Sequence, residues 1–392
     1  MRLVVRWRPL VGWAVAALCI ARSSQAQETT VEPSPLKLSL FVDSYAAWQT
    51  AAPGTLATLS AHRAFSGQSA TLRAENGISL AFMGVDVAYD AGTFGALVNV
   101  RLGQAASLYH YHAQPESDAT FGVDHLTQAY LFVRPIKELE LDLGMYTSPF
   151  GFESLESWKN PNYTISALYV YGQPSWHTGL KAKWQALETL SVMAMICDGV
   201  NNISEVQQGS GLNQTPSLGA SLNFVPTPVL SLSLGGLWAS NAKDNDDGGI
   251  DGFVDFVSTV TLGRWSTSLN ADFIVTRNGA PSGADRHFWG ASLTNAYRFT
   301  EAVGVAARGE YLRDDANYGG GDVWQLTTGT LTLDLRPIPH VRNLVVRWEN
   351  RWEHSNQPIF GLDSRGTPET ADDRYGRKWF ETVLGVVVTT AP

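Results

Sequence analysis

Alternation of apolar with polar residues dominates this chain after residue 26. The stretches 139–143 (LELDL) and 230–234 (LSLSL) are examples, and successive side chains of a β-strand point to opposite faces. No apolar run in this part reaches the length of about 20 residues that a membrane-spanning helix needs. In hydrocarbon, only helices and closed barrels satisfy their backbone hydrogen bonds. The pattern therefore predicts an all-β fold, a transmembrane antiparallel β-barrel.

The first 26 residues have the three parts of a secretory signal peptide. Arginines precede the apolar segment 10–20, and small residues follow at 24–26, which is the order that signal peptides share. We expect cleavage after Ala26, then a periplasmic leader over 27–36 and the barrel over 37–392. A membrane anchor is disfavoured, because the apolar segment has only about half the length of a spanning helix.

Charge and cysteine content limit the partners and cross-links of the chain. The formal net charge is -9, and loss of the four arginines of the signal peptide would bring it to -13. An acidic chain repels phosphate backbones, so nucleic acid is excluded as a partner. Cys197 is the only cysteine after residue 26, which excludes an intrachain disulfide.

The alternating stretches predict about sixteen strands, in a range of 12 to 18, and an even number is typical of a single-chain bacterial barrel. The predicted strands are 37–49, 77–89, 94–103, 124–134, 139–147, 175–185, 189–198, 216–225, 229–240, 251–261, 265–275, 287–298, 302–313, 322–335, 341–354 and 377–389.

Short and long connections alternate along the chain. The short ones contain proline or glycine in most cases, as turns do, and they include 90–93, 135–138, 226–228, 262–264, 299–301 and 337–339. The long ones include 51–76, 104–123, 148–174, 199–215 and 355–376. In outer-membrane barrels, short turns face the periplasm and long loops face outward, and we expect the same here.

Charged residues share one face of the predicted strands. In 265–275, Leu269 and Phe273 alternate with Asn270 and Asp272. A charge that faces the bilayer midplane costs about 2–4 kcal/mol, so the charged face should line the lumen. The predicted pore-lining residues of the strands are Arg101, Arg134, Lys181, Lys183, Asp272, Arg308, Glu310, Arg347, Glu349 and Arg351.

Aromatic residues near the predicted strand ends are expected to form girdles at the two membrane interfaces. These residues are Tyr45, Trp48, Tyr89, Trp176, Trp184, Trp238, Trp265, Tyr297, Tyr311, Trp324 and Trp379.

The region 141–184 contains a specific motif. It combines a Ser/Thr-Pro-x-Gly-aromatic-Glu element, an Asn-x-Asn-Tyr-Thr-x-Ser element and a His-Thr-Gly element that opens the next strand. The matching residues are Ser148, Pro149, Gly151, Phe152, Glu153, Asn160, Asn162, Tyr163, Thr164, Ser166, His177, Thr178 and Gly179. In these residues the chain resembles the OmpL-like family of β-barrel porins, and 41–45, 84–86 and 128–130 are also similar. The resemblance implies a diffusion channel of the bacterial outer membrane.

The connection 148–174 is too long for a simple hairpin. We expect it to fold partly into the lumen and to narrow it, so that Glu153 and Glu156 face cations of the wall and pore width and charge select the solute. The alternative is that this connection packs over the mouth of the barrel and that the lumen charges pair with each other as structural ladders.

Other functions have weaker support in the sequence. His110 and His112 could point to one side of a strand, but a third metal ligand is missing nearby, and the acidic positions of 244–249 do not match a calcium loop. A barrel hydrolase is disfavoured, because the common catalytic motifs are missing and neighbouring residues such as His354 and Ser355 point to opposite faces of a strand. A structural or adhesive barrel with a plugged lumen stays open.

The sequence thus predicts a non-enzymatic outer-membrane channel without a metal or cofactor. Its expected partners are outer-membrane lipid and lipopolysaccharide, the barrel-assembly machinery and small polar solutes. Assembly into a homo-oligomer stays open, as does the identity of the solute.

Overall fold

The computed structural model describes residues 35–50, 77–103, 106, 125–200, 216–239, 250–280, 282–316, 323–338, 343–357, 360–361 and 375–390. Within these ranges, sixteen antiparallel strands form one closed barrel, as the alternation predicts. The barrel strands are β1 (Leu36–Gln49), β2 (Gly77–Asp90), β3 (Phe94–Leu102), β4 (Leu126–Ile136), β5 (Leu139–Thr147), β6 (Trp176–Leu187), β7 (Leu190–Cys197), β8 (Ser217–Thr227), β9 (Leu230–Trp238), β10 (Gly252–Leu262), β11 (Trp265–Thr276), β12 (Arg286–Arg298), β13 (Val303–Asp314), β14 (Trp324–Leu335), β15 (Leu344–Ser355) and β18 (Lys378–Thr389).

Each barrel strand pairs with its neighbours in the sequence, and β1 pairs with β18 to close the sheet. The closing register places Phe41 opposite Thr389 and Gln49 opposite Glu381. Closure leaves no open sheet edge, whose unpaired backbone N–H and C=O groups would be costly in hydrocarbon. Two short strands, β16 (Phe360–Gly361) and β17 (Tyr375–Gly376), pair with each other in a separate sheet.

The two ends of the barrel differ in their connections. At one end, tight turns join β4 to β5 at 137–138, β6 to β7 at 188–189 and β10 to β11 at 263–264. We call this the short-turn end; β1 begins there, because Leu36 pairs with Tyr89 beside the turn to β3. The strand ends that flank the longer connections lie at the opposite end. Of those connections, residues 51–76, 104–105, 107–124, 201–215, 240–249, 281, 317–322, 358–359 and 362–374 are outside the described residues.

The outer and inner faces of the barrel follow the predicted alternation. On β11, Leu269 and Phe273 are exposed, whereas Asn270 and Asp272 are buried inside. On β15, Trp348 is exposed and Arg351 is completely buried. Apolar side chains therefore cover the outer face, where hydrocarbon would surround the barrel, and the charged side chains point inward. No helix in the described ranges is both long and apolar enough to cross a membrane.

Of the eleven aromatic residues expected in girdles, six are exposed, as a girdle requires, Tyr311 is half-buried, and four are buried, so the expectation is wrong for these four. The exposed aromatic residues are Trp48, Tyr89, Trp184, Trp238, Trp265 and Tyr297, whereas Tyr45, Trp176, Trp324 and Trp379 are buried. Tyr45, Trp324 and Trp379 are at positions of their strands whose side chains point into the barrel. Closeness to a strand end does not show which face a side chain is on. Trp176, the first residue of β6, packs in an apolar cluster with Ile165 and Tyr169.

Candidate functional site

The connection between β5 and β6, residues 148–175, contacts the inner face of the barrel at many points, and we call it the inner segment. It contains a 3-10 turn at Ser157–Lys159 and a short helix, α1 (Ala167–Gly172). Ser166 caps α1, because its hydroxyl accepts a hydrogen bond from the backbone N–H of Tyr169 at 2.9 Å. The sequence between Ser148 and Ser175 is thus an ordered element with its own local structure.

Glu349 of β15 holds the middle of the inner segment. Its carboxylate accepts hydrogen bonds from the backbone N–H groups of Tyr163 at 2.6 Å and Thr164 at 3.0 Å. It also accepts from the hydroxyls of Thr164 and, at 2.6 Å, Thr332. These donors are buried away from water. The carboxylate therefore supplies the hydrogen-bond acceptor that the backbone N–H groups of Tyr163 and Thr164 would otherwise lack.

Arg308 of β13 holds the same stretch from the neighbouring wall. Its guanidinium donates to the Glu153 carboxylate at 2.6 Å and to the backbone carbonyls of Thr164 at 2.8 Å and Ile165 at 3.2 Å. It also contacts Glu310 on its own strand at 3.1 Å. The Arg308 side chain has no solvent exposure, so these partners replace its hydration completely.

Two arginines of β15 also donate to the inner segment. Arg347 donates to the carbonyls of Ser157 and Asn162, and Arg351 donates to the carbonyl of Ile165 at 2.7 Å. Arg351 is paired with Glu353 at 2.6 Å. A guanidinium has five N–H donors in one plane, which lets each arginine bind a carboxylate of the wall and a carbonyl of the segment together.

Strands β1 and β3, which follow β15 and β18 around the barrel, also bind the inner segment. Arg101 of β3 pairs with Glu156 at 2.6 Å, and Asp43 of β1 accepts from the hydroxyls of Ser157 at 2.7 Å and Tyr163 at 2.6 Å. Burial alone would raise the pKa of Glu156, but Lys159 and Arg101 outweigh it and hold the pKa at about 2. Glu156 is therefore ionised at neutral pH, and its stabilising effect is lost only as the pH falls from about 4.5 toward about 2.

A third wall, formed by β10 and β11, binds both ends of the inner segment. Asp255 accepts from the Gly151 N–H at 3.1 Å, and Asn270 accepts from the Phe152 N–H at 3.0 Å. The Gln173 amide donates to Asp272 at 2.8 Å. Together with the contacts to β1, β3, β13 and β15, these bonds place the inner segment across the interior of the barrel.

Apolar contacts fix the inner segment at three glycines of the wall. A Cβ atom at Gly385 would lie 2.3 Å from the ring of Tyr163, and one at Gly235 would lie 2.7 Å from the ring of Phe150. At Gly290 it would lie 2.6 Å from a methyl carbon of Leu168. Strands β18, β9 and β12 therefore lack side chains where the segment packs most closely, and any larger residue there would need the segment to move.

The structure brings one group of the predicted pore-lining residues to the inner segment and leaves another group apart. Those that meet at the segment are Arg101, Glu153, Glu156, Asp272, Arg308, Glu310, Arg347, Glu349 and Arg351. Arg134, Lys181 and Lys183 lie on β4 and β6 instead, where Arg134 pairs with Asp90 and Glu140, and both lysines pair with Asp142. These three residues therefore form ion pairs within the barrel wall. Glu153 pairs with Arg308 instead, and Glu156 pairs with Arg101.

Asp43, Asp255 and Gln173 also take part in the contacts of the inner segment but are absent from the predicted pore-lining residues, whereas Asn270 lies on the polar face that alternation predicts for β11. Asp43 and Asp255 point inward from their strands, so alternation could have identified them. Gln173 follows α1 inside the connection, where no alternation exists. Its contact with Asp272 depends on the path of the segment and has no signal in the sequence.

The motif residues shape the inner segment and its exit. Gly151 has a φ of +86°, and a Cβ atom there would lie 2.2 Å from the Gln173 amide oxygen, so glycine suits both the backbone and the space. Asn160 closes a local loop by accepting from the Ser154 N–H at 2.8 Å, and the Asn162 amide donates to Thr332 at 2.7 Å. At the start of β6, the His177 ring contacts the Gly199 carbonyl at 3.0 Å.

The remaining motif residues complete these turns. The Ser148 hydroxyl accepts from the Phe150 N–H at 3.4 Å across Pro149, and the Thr178 carbonyl accepts from the Asp198 N–H at 3.0 Å. Gly179 lies against β7, because a Cβ atom there would lie 2.2 Å from the Ile196 carbonyl oxygen.

Metal and catalytic sites have little support in the described structure. Across the described ranges, no group of three or more His, Cys, Asp or Glu side chains is placed to hold a metal ion. His110, His112 and the stretch 244–249 lie outside those ranges. His354 is exposed on the outer face of β15, whereas Ser355 is buried and accepts from the Trp324 indole at 3.1 Å. The two side chains therefore do not form a pair for acyl transfer.

Comparison with protein families gives a match over nearly the whole barrel. Residues 35–376 match the family described as "Putative beta-barrel porin-2, OmpL-like". The comparison with curated proteins gives no match.

Solved outer-membrane structures share the fold. An anion-selective porin from Comamonas acidovorans has a TM-score of 0.58 at 12% identity, covering 90% of this chain and 99% of that one. The in-vitro folded outer membrane protein OmpT of Vibrio cholerae has a TM-score of 0.56 at 12% identity, covering 92% and 99%. OmpF of Salmonella typhi, in complex with daunomycin, has a TM-score of 0.53 at 11% identity, covering 90% and 97%. At these identities the similarity concerns the fold alone.

Proposed function

The chain belongs to the OmpL-like β-barrel porin family, and we propose that it lets small polar solutes diffuse passively through its lumen. Membership of this family and the porin-like barrel fold support a location in the bacterial outer membrane. Within that proposal, residues 1–26 are a cleaved signal peptide, 27–36 are a periplasmic leader, the short-turn end faces the periplasm, and the protein has no enzymatic activity. Lipopolysaccharide, the assembly machinery and a homo-oligomer belong to the same proposal; one of the similar structures is a trimer form of OmpT.

The observation that carries the proposal is the polar interior crossed by the inner segment. Carboxylates and guanidiniums from the segment and from several strands face each other there, as Glu153 faces Arg308 and Glu156 faces Arg101. Opposed charges at a narrowing select solutes by size and charge. We infer that the inner segment is the constriction of the channel.

The second candidate, a barrel with a plugged lumen, is favoured by one specific observation. Arg101, Arg308 and Arg351 are almost without solvent exposure, and an apolar cluster extends from Tyr146 on β5 through α1 to Trp379 on β18. Dense packing of this kind would leave a narrow passage or none. The two candidates thus differ in whether a continuous water path remains beside the segment.

Recordings from planar lipid bilayers separate the two candidates. For the purified, folded protein we expect discrete conductance steps, because a polar path beside the constriction would carry ions. Vesicles that contain the same preparation should also swell in solutions of a small neutral solute. A folded, inserted barrel that gives no steps and no swelling would contradict the channel and support the plugged barrel.

A further inference from the structure

Two carboxyl groups face each other inside the barrel, where the inner segment meets β10 and β11. Asp255 and Asp272 are directly opposite in the register of these strands, and their side chains are hydrogen-bonded to each other. The two residues are only 1% and 4% exposed. An ionised carboxylate can only accept, so a hydrogen bond between two carboxyl groups requires a proton on one of them. The contact therefore indicates a pair that holds one proton and one negative charge.

The other hydrogen-bond partners of this pair are neutral amides. Asn270 Nδ2 donates to both residues, at 2.7 Å to Asp255 and at 3.1 Å to Asp272. The Gly151 N–H donates to Asp255 at 3.1 Å, and Gln173 Nε2 donates to Asp272 at 2.8 Å. Within the part of the chain that the structure describes, no lysine, arginine or histidine forms an ion pair with either carboxyl group. The amides can stabilise one negative charge, but they supply no positive charge for a second one.

The surroundings of the pair carry no further charge. On the flanking strands, the residues opposite the pair are Gly235 of β9 and Gly290 of β12. Buried apolar side chains lie against these glycines or at the next inward position of β10 and β11, and they are Phe150, Leu168, Phe253 and Ile274. The next inward positions on the other side are Val257 and Asn270. Two carboxylates this close in such surroundings repel each other and are not both ionised at neutral pH.

The pair binds both ends of the inner segment. Asp255 accepts from Gly151 near the start of the segment, and Asp272 accepts from Gln173 near its end. The two ends are also close to each other, because a Cβ atom at Gly151 would lie 2.2 Å from the Gln173 amide oxygen. A change in the charge of the pair therefore acts on both ends of the segment at once.

From this arrangement we propose that Asp255 and Asp272 share one proton at neutral pH and act as a pH-sensitive latch on the inner segment. At alkaline pH the shared proton passes to water, and two negative charges then face each other without a cation. Their repulsion separates the carboxylates and releases the amides of Gly151 and Gln173, so the constriction widens. The latch deepens the proposed function, on which it rests, because it names how the constriction of the channel would be regulated.

Infrared spectroscopy of the folded full-length protein in lipid vesicles detects the shared proton. A protonated carboxyl group has a C=O stretching band that an ionised one lacks. The unchanged protein should show such a band at neutral pH and lose it at alkaline pH, and the double variant Asp255→Asn with Asp272→Asn should lack it. Asp272→Asn alone is the second variant, because the remaining carboxylate then faces no like charge. A neutral-pH spectrum in which the unchanged protein and the double variant have the same carboxyl bands would overturn the shared proton.

Single-channel recordings test the effect of this proton on the constriction. Between neutral and alkaline pH, the conductance of the unchanged protein should rise at least about twofold, because release of both segment ends widens the path. The double variant and Asp272→Asn should not show this rise, since neither places two negative charges face to face. Glu138→Gln is the matched control, because Glu138 lies on the β4–β5 turn and pairs with Lys137. This variant also loses one carboxylate but keeps the latch, so its conductance should still rise.

The latch and the channel can fail separately. Hydrogen exchange measured by mass spectrometry reports release of the segment without conduction. At the same alkaline pH, the backbone amides of 148–152 should exchange at least about tenfold faster in the unchanged protein than in the double variant. Faster exchange in a barrel that gives no conductance would support the latch and contradict the channel. Equal exchange in the two proteins, or a conductance with the same pH dependence in both, would overturn the latch and leave the channel in place.

Discussion

Deleting residues 153–159 is expected to raise the single-channel conductance at least about twofold, because the deletion removes the part of the inner segment that crosses toward β3 and β13. The deletion takes away Glu153 and Glu156, which pair with Arg308 and Arg101, and Trp158, whose ring centroid lies 4.4 Å from that of Phe41 on β1. The path should become wider, and its net charge should rise by one unit, because the deletion removes two carboxylates and one lysine, Lys159. Recordings in planar bilayers should therefore also show ion selectivity shifted toward anions.

A deletion of equal length in the β11–β12 connection, 278–284, is the control for the loss of chain length. It leaves the inner segment intact, so conductance and selectivity should stay at the level of the unchanged protein. If the 153–159 deletion folds, inserts and conducts with the same conductance and selectivity as the unchanged protein, the inner segment is not the constriction.

Arg308→Met is expected to lower the free energy of unfolding by about 3–5 kcal/mol, the usual cost of removing one partner of a buried ion pair. The substitution leaves the carboxylates of Glu153 and Glu310 buried without this guanidinium. It also removes the guanidinium donor of the Thr164 carbonyl, whereas the Ile165 carbonyl keeps its bond from Arg351. Urea titration of the barrel in lipid vesicles, followed by tryptophan fluorescence, measures the change.

A double-mutant cycle with Glu153→Gln tests whether this pair connects the segment to the wall. Because Glu153→Gln removes a charge that Arg308→Met would leave buried, the double variant should be less destabilised than the sum of the single variants. The expected coupling is about 1–3 kcal/mol, as for other contacting pairs. Additive effects would show that Glu153 is not paired with Arg308, and the segment would then take a different path.

The barrel itself could be predicted from the sequence because its cause is local. Alternation over a few residues decides which side chains face hydrocarbon, and each strand pairs with its neighbour in the chain. The same parity identified Arg308, Arg347, Glu349 and Arg351 as inward-facing residues. For Trp324 and Trp379, the girdle prediction used closeness to a strand end and not the alternation of faces, and it was wrong, because both side chains are buried.

The partners inside the barrel could not be predicted in this way. Thr164 and Glu349 are 185 residues apart in the chain, and the contact exists only because the inner segment crosses the interior. Glu156 could have faced any of several inward cations, and the path of the segment selects Arg101. Likewise, no pattern in the sequence indicates that the Tyr163 ring packs against Gly385.

Disulfide cross-linking measures most directly whether the inner segment lies across the interior of the barrel. The Ser157 hydroxyl and the Asp43 carboxylate are 2.7 Å apart, so the variant Asp43→Cys with Ser157→Cys, in a chain that also carries Cys197→Ala, should form a disulfide in the folded protein and change its mobility on a non-reducing gel. The pair Ala47→Cys with Val383→Cys, which are opposite each other on β1 and β18, is the positive control. Formation of the control disulfide without the Asp43–Ser157 cross-link would contradict the path described for the inner segment, and with it the constriction.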